Sequence, residues 1–130
     1  ADVPVIERFE HSLDAGADGA ATLLDSHPGI TALVCTSDIL ALGALREARD
    51  RGLRVPEDLS VAGFDGVPEA ERVGLTTVRQ PFRENGLEAG RLLLERGDRH
   101  VPEHVTLPTE LIVGTTTRGL RQSGEFFSGW

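Results

Sequence analysis

Along the chain, stretches in which apolar residues recur every three to four positions alternate with short continuous apolar runs. After Ser12, the residues Leu13, Ala17, Ala20 or Ala21, and Leu24 make a stripe at helical spacing that runs to about His27, with Ser12 as its cap. Gly16 and Gly19 inside that stretch weaken a helix. HPGI breaks the pattern, and TALVC (31–35) is short, apolar and rich in branched residues, as a buried strand requires. Asp38 then stands where a helix cap belongs. From there DILALGALREARDRG places Ala41, Ala44, Leu45 and Ala48 on one face. It gathers Arg49 and Arg51 at the end where the helix dipole favours cations, and it stops at Gly52.

LRVPED is a connector in which Pro56 keeps Val55 out of helical angles. LSVAGF (59–64) has the unbroken apolar character of a strand in a parallel sheet covered on both faces. Residues 66–75, with Pro68 and two glycines, are expected to be irregular. TTVRQ (76–80) is a third strand. Pro81 then opens a helix over FRENGLEAGRLLLERG, with Phe82, Gly86, Ala89 or Gly90, and Leu93 on one side and Gly97 at its end. VTLP and ELIVGTTT supply one or two closing strands, and the tail 119–130 has no period. Strand, helix and strand repeated with short connectors define an α/β fold, a parallel sheet flanked by helices with right-handed crossovers.

Composition narrows the function more than the fold. A length of 130 residues suits one domain, and 39% hydrophobic with 26% charged residues is ordinary for a globular chain. No apolar run nears the roughly 18 residues of a membrane span. ADVPVIERFEH lacks the layout of a signal peptide, so a soluble piece without a membrane partner is expected. The net charge of −8 argues against gripping a phosphate backbone. All 13 cationic residues are Arg, which removes every mechanism that needs a lysine amine. Cys35, the sole cysteine, fits a reducing compartment, and the absence of any Met is what a fragment would show.

There is no GxGxxG, P-loop or GxSxG motif, and no cofactor is expected. His11, His27, His100 and His104 are scattered, and Pro102 separates the last two, so no metal site is expected. In open α/β sheets ligands bind beyond the carboxyl ends of the strands. Asp38 follows TALVC there, Asp65 follows LSVAGF, and Gln80 ends TTVRQ. Asp38 is accounted for as a cap, and Ser37 beside it is either a second capping hydroxyl or a ligand contact. Asp65, in FDGVPEAE, is either a turn or cap residue or a carboxylate that accepts hydrogen bonds from ligand hydroxyls, which a sugar offers in adjacent pairs. Paired strand-end carboxylates also leave a hydrolase open, since sequence does not set their separation.

Four stretches carry a resemblance: an aliphatic strand into SD followed by GALREARDRG, then RVPEDLSVAGFD, then LTTVRQPF, and then NGLEAGRLLL. In this order and spacing, nearly unbroken over residues 31–95, they resemble the effector-binding region of LacI/GalR transcription regulators; LPTELIVGTTT resembles that family's last strand. The resemblance implies a periplasmic-binding-protein-like type I module of two α/β lobes around a sugar or other small effector. It further implies a cytoplasmic, non-enzymatic regulator that works as a homodimer and touches DNA only through a helix-turn-helix headpiece absent from this chain. Most of the chain would be the C-terminal lobe without its first strands and helix, with residues 82–107 crossing into the N-terminal lobe. Position by position, Asp65 receives effector hydroxyls, Ser37 faces the effector, and Gln80 and Phe82 line the cleft at the crossover. His11 falls near a stacking aromatic, and Asp38 stays a cap. The helix 39–51 and the stretch 66–75 would help form the dimer. A periplasmic sugar-binding protein of a transporter is the alternative that shares the fold.

Overall fold

The structure is a computed structural model that describes residues 3–7, 10–96 and 104–119. Helix α1 (Leu13–Ser26) begins where the Ser12 hydroxyl accepts the Ala15 N–H at 3.1 Å, satisfying one of the free donors of its first turn. Strand β1 (Ala32–Val34) leads to helix α2 (Asp38–Asp50). That helix closes with paired bonds from Leu53 N–H to the Ala48 carbonyl and from Gly52 N–H to the Arg49 carbonyl, both 2.9 Å. Gly52 has a φ of 73°, the left-handed cap position expected of it. Strand β2 (Ser60–Ala62) runs parallel to β1, with Leu33 opposite Val61.

The stretch expected to be irregular contains a five-residue helix, α3 (Pro68–Arg72). Pro68 fits its first turn, and Glu69 and Glu71 sit where the helix dipole favours anions. Strand β3 (Thr77–Arg79), helix α4 (Phe82–Arg96) and strand β4 (Glu110–Ile112) complete the order. Parallel bridges Ala62↔Thr76 and Asp65↔Arg79 carry β3 alongside β2. β4 then returns antiparallel to β3, with Val78 opposite Leu111, so the parallel sheet ends on an antiparallel strand. VTLP forms no strand.

The second half of ELIVGTTT is a wedge rather than a strand. Thr116 enters between β2 and β3: Val61 N–H donates to the Thr116 carbonyl (2.8 Å), and the Thr116 hydroxyl donates to the Val61 carbonyl (2.7 Å) while accepting Thr76 N–H (2.9 Å).

Helices α1 and α2 cover the sheet face that carries Leu33 and Val61, burying Ala20, Ala41, Ala44 and Ala48 with Leu59 and Leu75. They cross at two glycines. A Cβ on Gly16 would overlap the Leu40 carbonyl, and one on Gly43 would overlap the Leu13 carbonyl. Gly16, which weakens α1 in isolation, is what lets its backbone touch that of α2, with Gly43 doing the same from the other side. The opposite sheet face is open among the described residues, with Val34 85% exposed. The apolar positions of α4 are likewise unburied: Phe82, Leu87, Leu93 and Leu94 are all exposed. Gly97, His100 and the tail from residue 120 lie outside the described residues.

Candidate functional site

The polar groups gather beyond the carboxyl ends of β1, β2 and β3. Ser37, not Asp38, is the cap of α2: its backbone is extended and its hydroxyl receives Leu40 N–H at 3.4 Å, whereas Asp38 is the first helical residue. Both residue types suit a cap, and tertiary contacts decide between them. The Asp38 carboxylate is fully buried. Its Oδ1 accepts the Thr77 hydroxyl (2.5 Å), and its Oδ2 accepts the N–H groups of Gly66 (2.7 Å) and Val67 (2.9 Å). Asp38 N–H donates to the Phe64 carbonyl at 2.7 Å. This aspartate therefore ties the start of α2 to the loop after β2 and to β3, and it presents no oxygen to a substrate. That geometry removes the second carboxylate a hydrolase would need.

Gly63 belongs to the same arrangement, because a Cβ there would overlap Asp38 Oδ1. Gly66, at φ 75°, makes the bend, and a Cβ on it would run into the backbone of Arg79 at 2.6 Å.

Between these glycines Asp65 is held at φ 126°, a region that L-residues rarely adopt. The surrounding sheet fixes it there. Asp65 N–H donates to the Val78 carbonyl and Gln80 N–H donates to the Asp65 carbonyl, each at 2.9 Å. The half-buried carboxylate accepts Gln80 Nε2 on Oδ1 at 2.8 Å. No buried side-chain oxygen or nitrogen among the described residues lacks a partner, so Oδ2 of Asp65, which has none there, is open to solvent. Phe82 follows directly, its N–H donating to the Gln80 carbonyl at 3.0 Å and its ring exposed.

The structure thus groups Asp65, Gln80 and Phe82 and sets Ser37 at the neighbouring strand end. His11 stands apart. It is exposed, just before the cap of α1, on a cleft of about 620 Å3 whose walls include none of those three. A second hollow of about 410 Å3 lies on the open sheet face, lined by Phe64, Thr77, Val78 and Leu111. Phe64, the last residue of the apolar run LSVAGF, is exposed beside it. Cys35 borders both spaces, and burial pushes its thiol up to about 11, so it is a protonated small apolar group near neutral pH. Among the described residues no cluster of His, Cys, Asp and Glu has the makings of a metal site, and no helix is long and apolar enough to cross a membrane.

Residue pattern did not point to Thr77, to the strained backbone of Asp65 or to Arg79, which pairs with Glu71 and, at 3.0 Å, with Glu110. Only the succession of SD and GFDG hints that two strand ends are tied together. The RVPED motif also has a physical role: Asp58 accepts Arg54 N–H (2.9 Å) and the guanidinium Nε (2.7 Å) and Nη2 (2.5 Å), closing the connector on itself.

A profile of the periplasmic binding protein-like domain matches residues 3–117. An HTH-type transcriptional regulator of Mycobacterium tuberculosis is 46% identical over 112 residues, which cover 86% of this chain and 31% of that protein. Among solved structures, a complex of the transcriptional regulator CelR with cellobiose is 37% identical with a TM-score of 0.77, covering 82% of this chain and 34% of the other. A LacI family transcriptional regulator from Enterococcus faecium with bound ribose is 32% identical with a TM-score of 0.76, covering 86% and 42%. The chain spans about a third of the length of the M. tuberculosis relative.

Proposed function

This chain belongs to the periplasmic binding protein-like family, among regulators of the LacI type, and we propose that it is part of the effector-sensing domain of such a regulator, controlling operator binding allosterically. The observation that carries this reading is Asp65. A carboxylate is held in a disfavoured backbone conformation, with one oxygen bonded to Gln80 and the other open to solvent. Strain of this kind persists where the surroundings over-determine it, and it clusters at ligand clamps. The effector is a carbohydrate or similar polyol. Its adjacent hydroxyls donate to the two Asp65 oxygens, the first displacing or sharing the Gln80 amide, and each bond to a charged acceptor contributes about 1.5–3 kcal/mol net. Phe82 supplies an apolar wall and Ser37 a hydroxyl at the adjacent strand end, while His11, on a separate cleft, has no part in this site. The cellobiose and ribose complexes of related regulators support the ligand class.

On this reading the site binds without turnover, which the engagement of both Asp38 oxygens supports. The remaining roles rest on the same reading. The exposed apolar residues of α4 fit a segment that leaves this lobe for the other, over residues 82–107. α2 and α3 contribute to a homodimer, so that two headpieces meet a two-fold operator. DNA is held by the headpiece and not by this acidic piece, in the cytoplasm. Effector works by favouring one lobe arrangement over another, which requires different affinity in the two states. A transporter's periplasmic binding protein has no such support, because the similar proteins named above are regulators.

The test is Asp65→Ala in the regulator that carries this domain. Operator affinity in a gel-shift titration stays within about twofold, while its response to effector is lost, as expected for the removal of charge-assisted bonds. Wild-type induction by the variant would refute the assignment.

A further inference from the structure

Asp65 is followed by glycine, and in an Asp–Gly pair the side-chain carboxyl is readily attacked by the next backbone nitrogen, because glycine has no Cβ to obstruct the approach. The fold imposes both residues. Gly66 adopts φ 75°, and a Cβ on it would lie 2.6 Å from the Arg79 backbone, so a side chain there is excluded. Asp65 supplies the carboxylate oxygen that faces solvent beyond β2. The sequence holds two more pairs of this kind, Asp18–Gly19 and Asn85–Gly86. Both lie inside helices, α1 and α4, where the glycine N–H donates to the carbonyl four residues earlier. Gly66 is outside any helix. Its N–H donates instead to Asp38 Oδ2 at 2.7 Å, a fully buried carboxylate 28 residues away along the chain.

The reaction open to such a pair needs no partner but water. The Gly66 nitrogen bonds to Cγ of the protonated Asp65 carboxyl, and the hydroxyl leaves as water with the Gly66 proton, closing a five-membered imide. Water then adds to either carbonyl carbon of the ring, and a proton returns to the nitrogen. Addition at Cγ restores aspartate. Addition at the main-chain carbon breaks its bond to the Gly66 nitrogen and leaves isoaspartate, with the chain running through the side chain. The imide has no Gly66 N–H. Forming it strips a donor from Asp38 Oδ2, which keeps only Val67 N–H at 2.9 Å in a buried position, and any amide anion on the way forms beside that carboxylate. The Asp65 side chain is held as well, because Gln80 Nε2 fixes Oδ1 at 2.8 Å and Gln80 N–H fixes the Asp65 carbonyl at 2.9 Å.

We infer that Asp65–Gly66 is a latent site of isoaspartate formation, and that the buried Asp38 carboxylate guards it by holding the Gly66 N–H. Conversion lengthens the main chain by one methylene. It also exchanges the places of the side-chain carboxylate and the carbonyl that pairs with Gln80, so the bend against Arg79 and the solvent-facing oxygen are lost together. The chemistry is independent of any ligand that Asp65 takes.

The test holds the folded 130-residue chain in heavy-oxygen water at near-neutral pH, digests it with trypsin and reads the peptide 55–72 by mass spectrometry, with fragment ions that isolate Asp65. Each passage through the imide leaves one heavy oxygen on Asp65 or its isomer. Incorporation in buffer is expected to be at least about tenfold slower than in the same chain unfolded in urea, the scale of a buried charge-assisted bond. Asp38→Ala, shown to be folded by circular dichroism, raises the native rate about tenfold; Asp38→Asn, whose amide oxygen still accepts Gly66 N–H, raises it less than about threefold. If Asp38→Ala does not fold, the wild type in urea below its transition decides, and incorporation should rise in proportion to hydrogen exchange at the Gly66 amide. Equal rates in buffer and in urea, or a folded Asp38→Ala no faster than wild type, would overturn the inference. So would Asp38→Asn as fast as Asp38→Ala, or incorporation unrelated to Gly66 exchange.

Discussion

Asp65 and Asp38 look alike in sequence, each a carboxylate just beyond an apolar run, and the fold gives them opposite tasks. Asp38 spends both oxygens on the protein, while Asp65 keeps one for solvent at the expense of its backbone. That expense is measurable. At φ 126° Ala retains the strain and loses the carboxylate, whereas Gly loses the carboxylate and relieves the strain. Urea denaturation should therefore show Asp65→Gly more stable than Asp65→Ala by about 1 kcal/mol. Equal stabilities, or the reverse order, would mean that the backbone there is relaxed. The position of Asp65 at a strand's carboxyl end was legible from residues 59–65, because an apolar run ending in GFDG locates the end of the strand. Its conformation was not, since a positive φ on Asp comes from bonds to Val78 and Gln80, well over ten residues away. The same limit moved the cap from Asp38 to Ser37.

At the level of elements, period and capping chemistry located both long helices of the sheet's covered face to within a residue or two. Ser12, Gly52 and the alanine stripe of α2 act as their residue types dictate. What stayed hidden was how elements meet. Gly16 and Gly43 count against their helices on propensity alone, yet their backbones are in contact at the crossing. Gly43→Ala should lower stability by more than about 2 kcal/mol, because the opposing atoms are backbone and cannot swing away. A neutral or stabilising outcome in thermal unfolding would place the helices farther apart. Thr116 is the other such point. Its hydroxyl is 2.7 Å from the Val61 carbonyl and 2.9 Å from the Thr76 amide, in a buried position. Thr116→Val keeps the shape and leaves both groups unmatched, a loss of about 2–3 kcal/mol in chemical denaturation. A change under about 0.5 kcal/mol would show that water replaces the hydroxyl. Sequence suggested a strand at GTTT because threonine favours strands, and it could not show that a sheet had a gap to be filled.

For the molecule as a whole, the acidic balance coexists with arginines that are locally paired: Arg46 with Asp14, Arg51 with Asp25 and Glu47, Arg54 with Asp58. These are surface pairs of small individual worth. The Arg54 side chain and backbone N–H nevertheless hold the Asp58 carboxyl down at about 2, below the ordinary 3.8. A folded value below the unfolded one means that the contribution is present above about pH 4 and is lost as pH falls toward 2. NMR titration of the Asp58 side chain should show it still ionised at pH 3, and the destabilisation caused by Asp58→Asn should shrink as pH falls through 2. An ordinary midpoint near 4 would mean that the connector is open in solution. The fold class and the succession of strands and helices along the chain were readable because α/β alternation is a local pattern. The antiparallel β4 and the bare sheet face were not, because both depend on which neighbours the chain finds in space.

The threonine wedge also has a bearing on the order of events as the polypeptide emerges from the ribosome. Its partners lie 55 and 40 residues earlier, so β2 and β3 stay unsealed at their amino ends until residue 116 has been made. Everything up to β3 can assemble from contacts already available, but the seal must wait for residue 116 and closes a loop of 55 residues. A nascent chain halted before Gly114 would hold the polar strand ends near Asp65 in place while its other end remained open, giving a protease its entry at Val61 and Thr76.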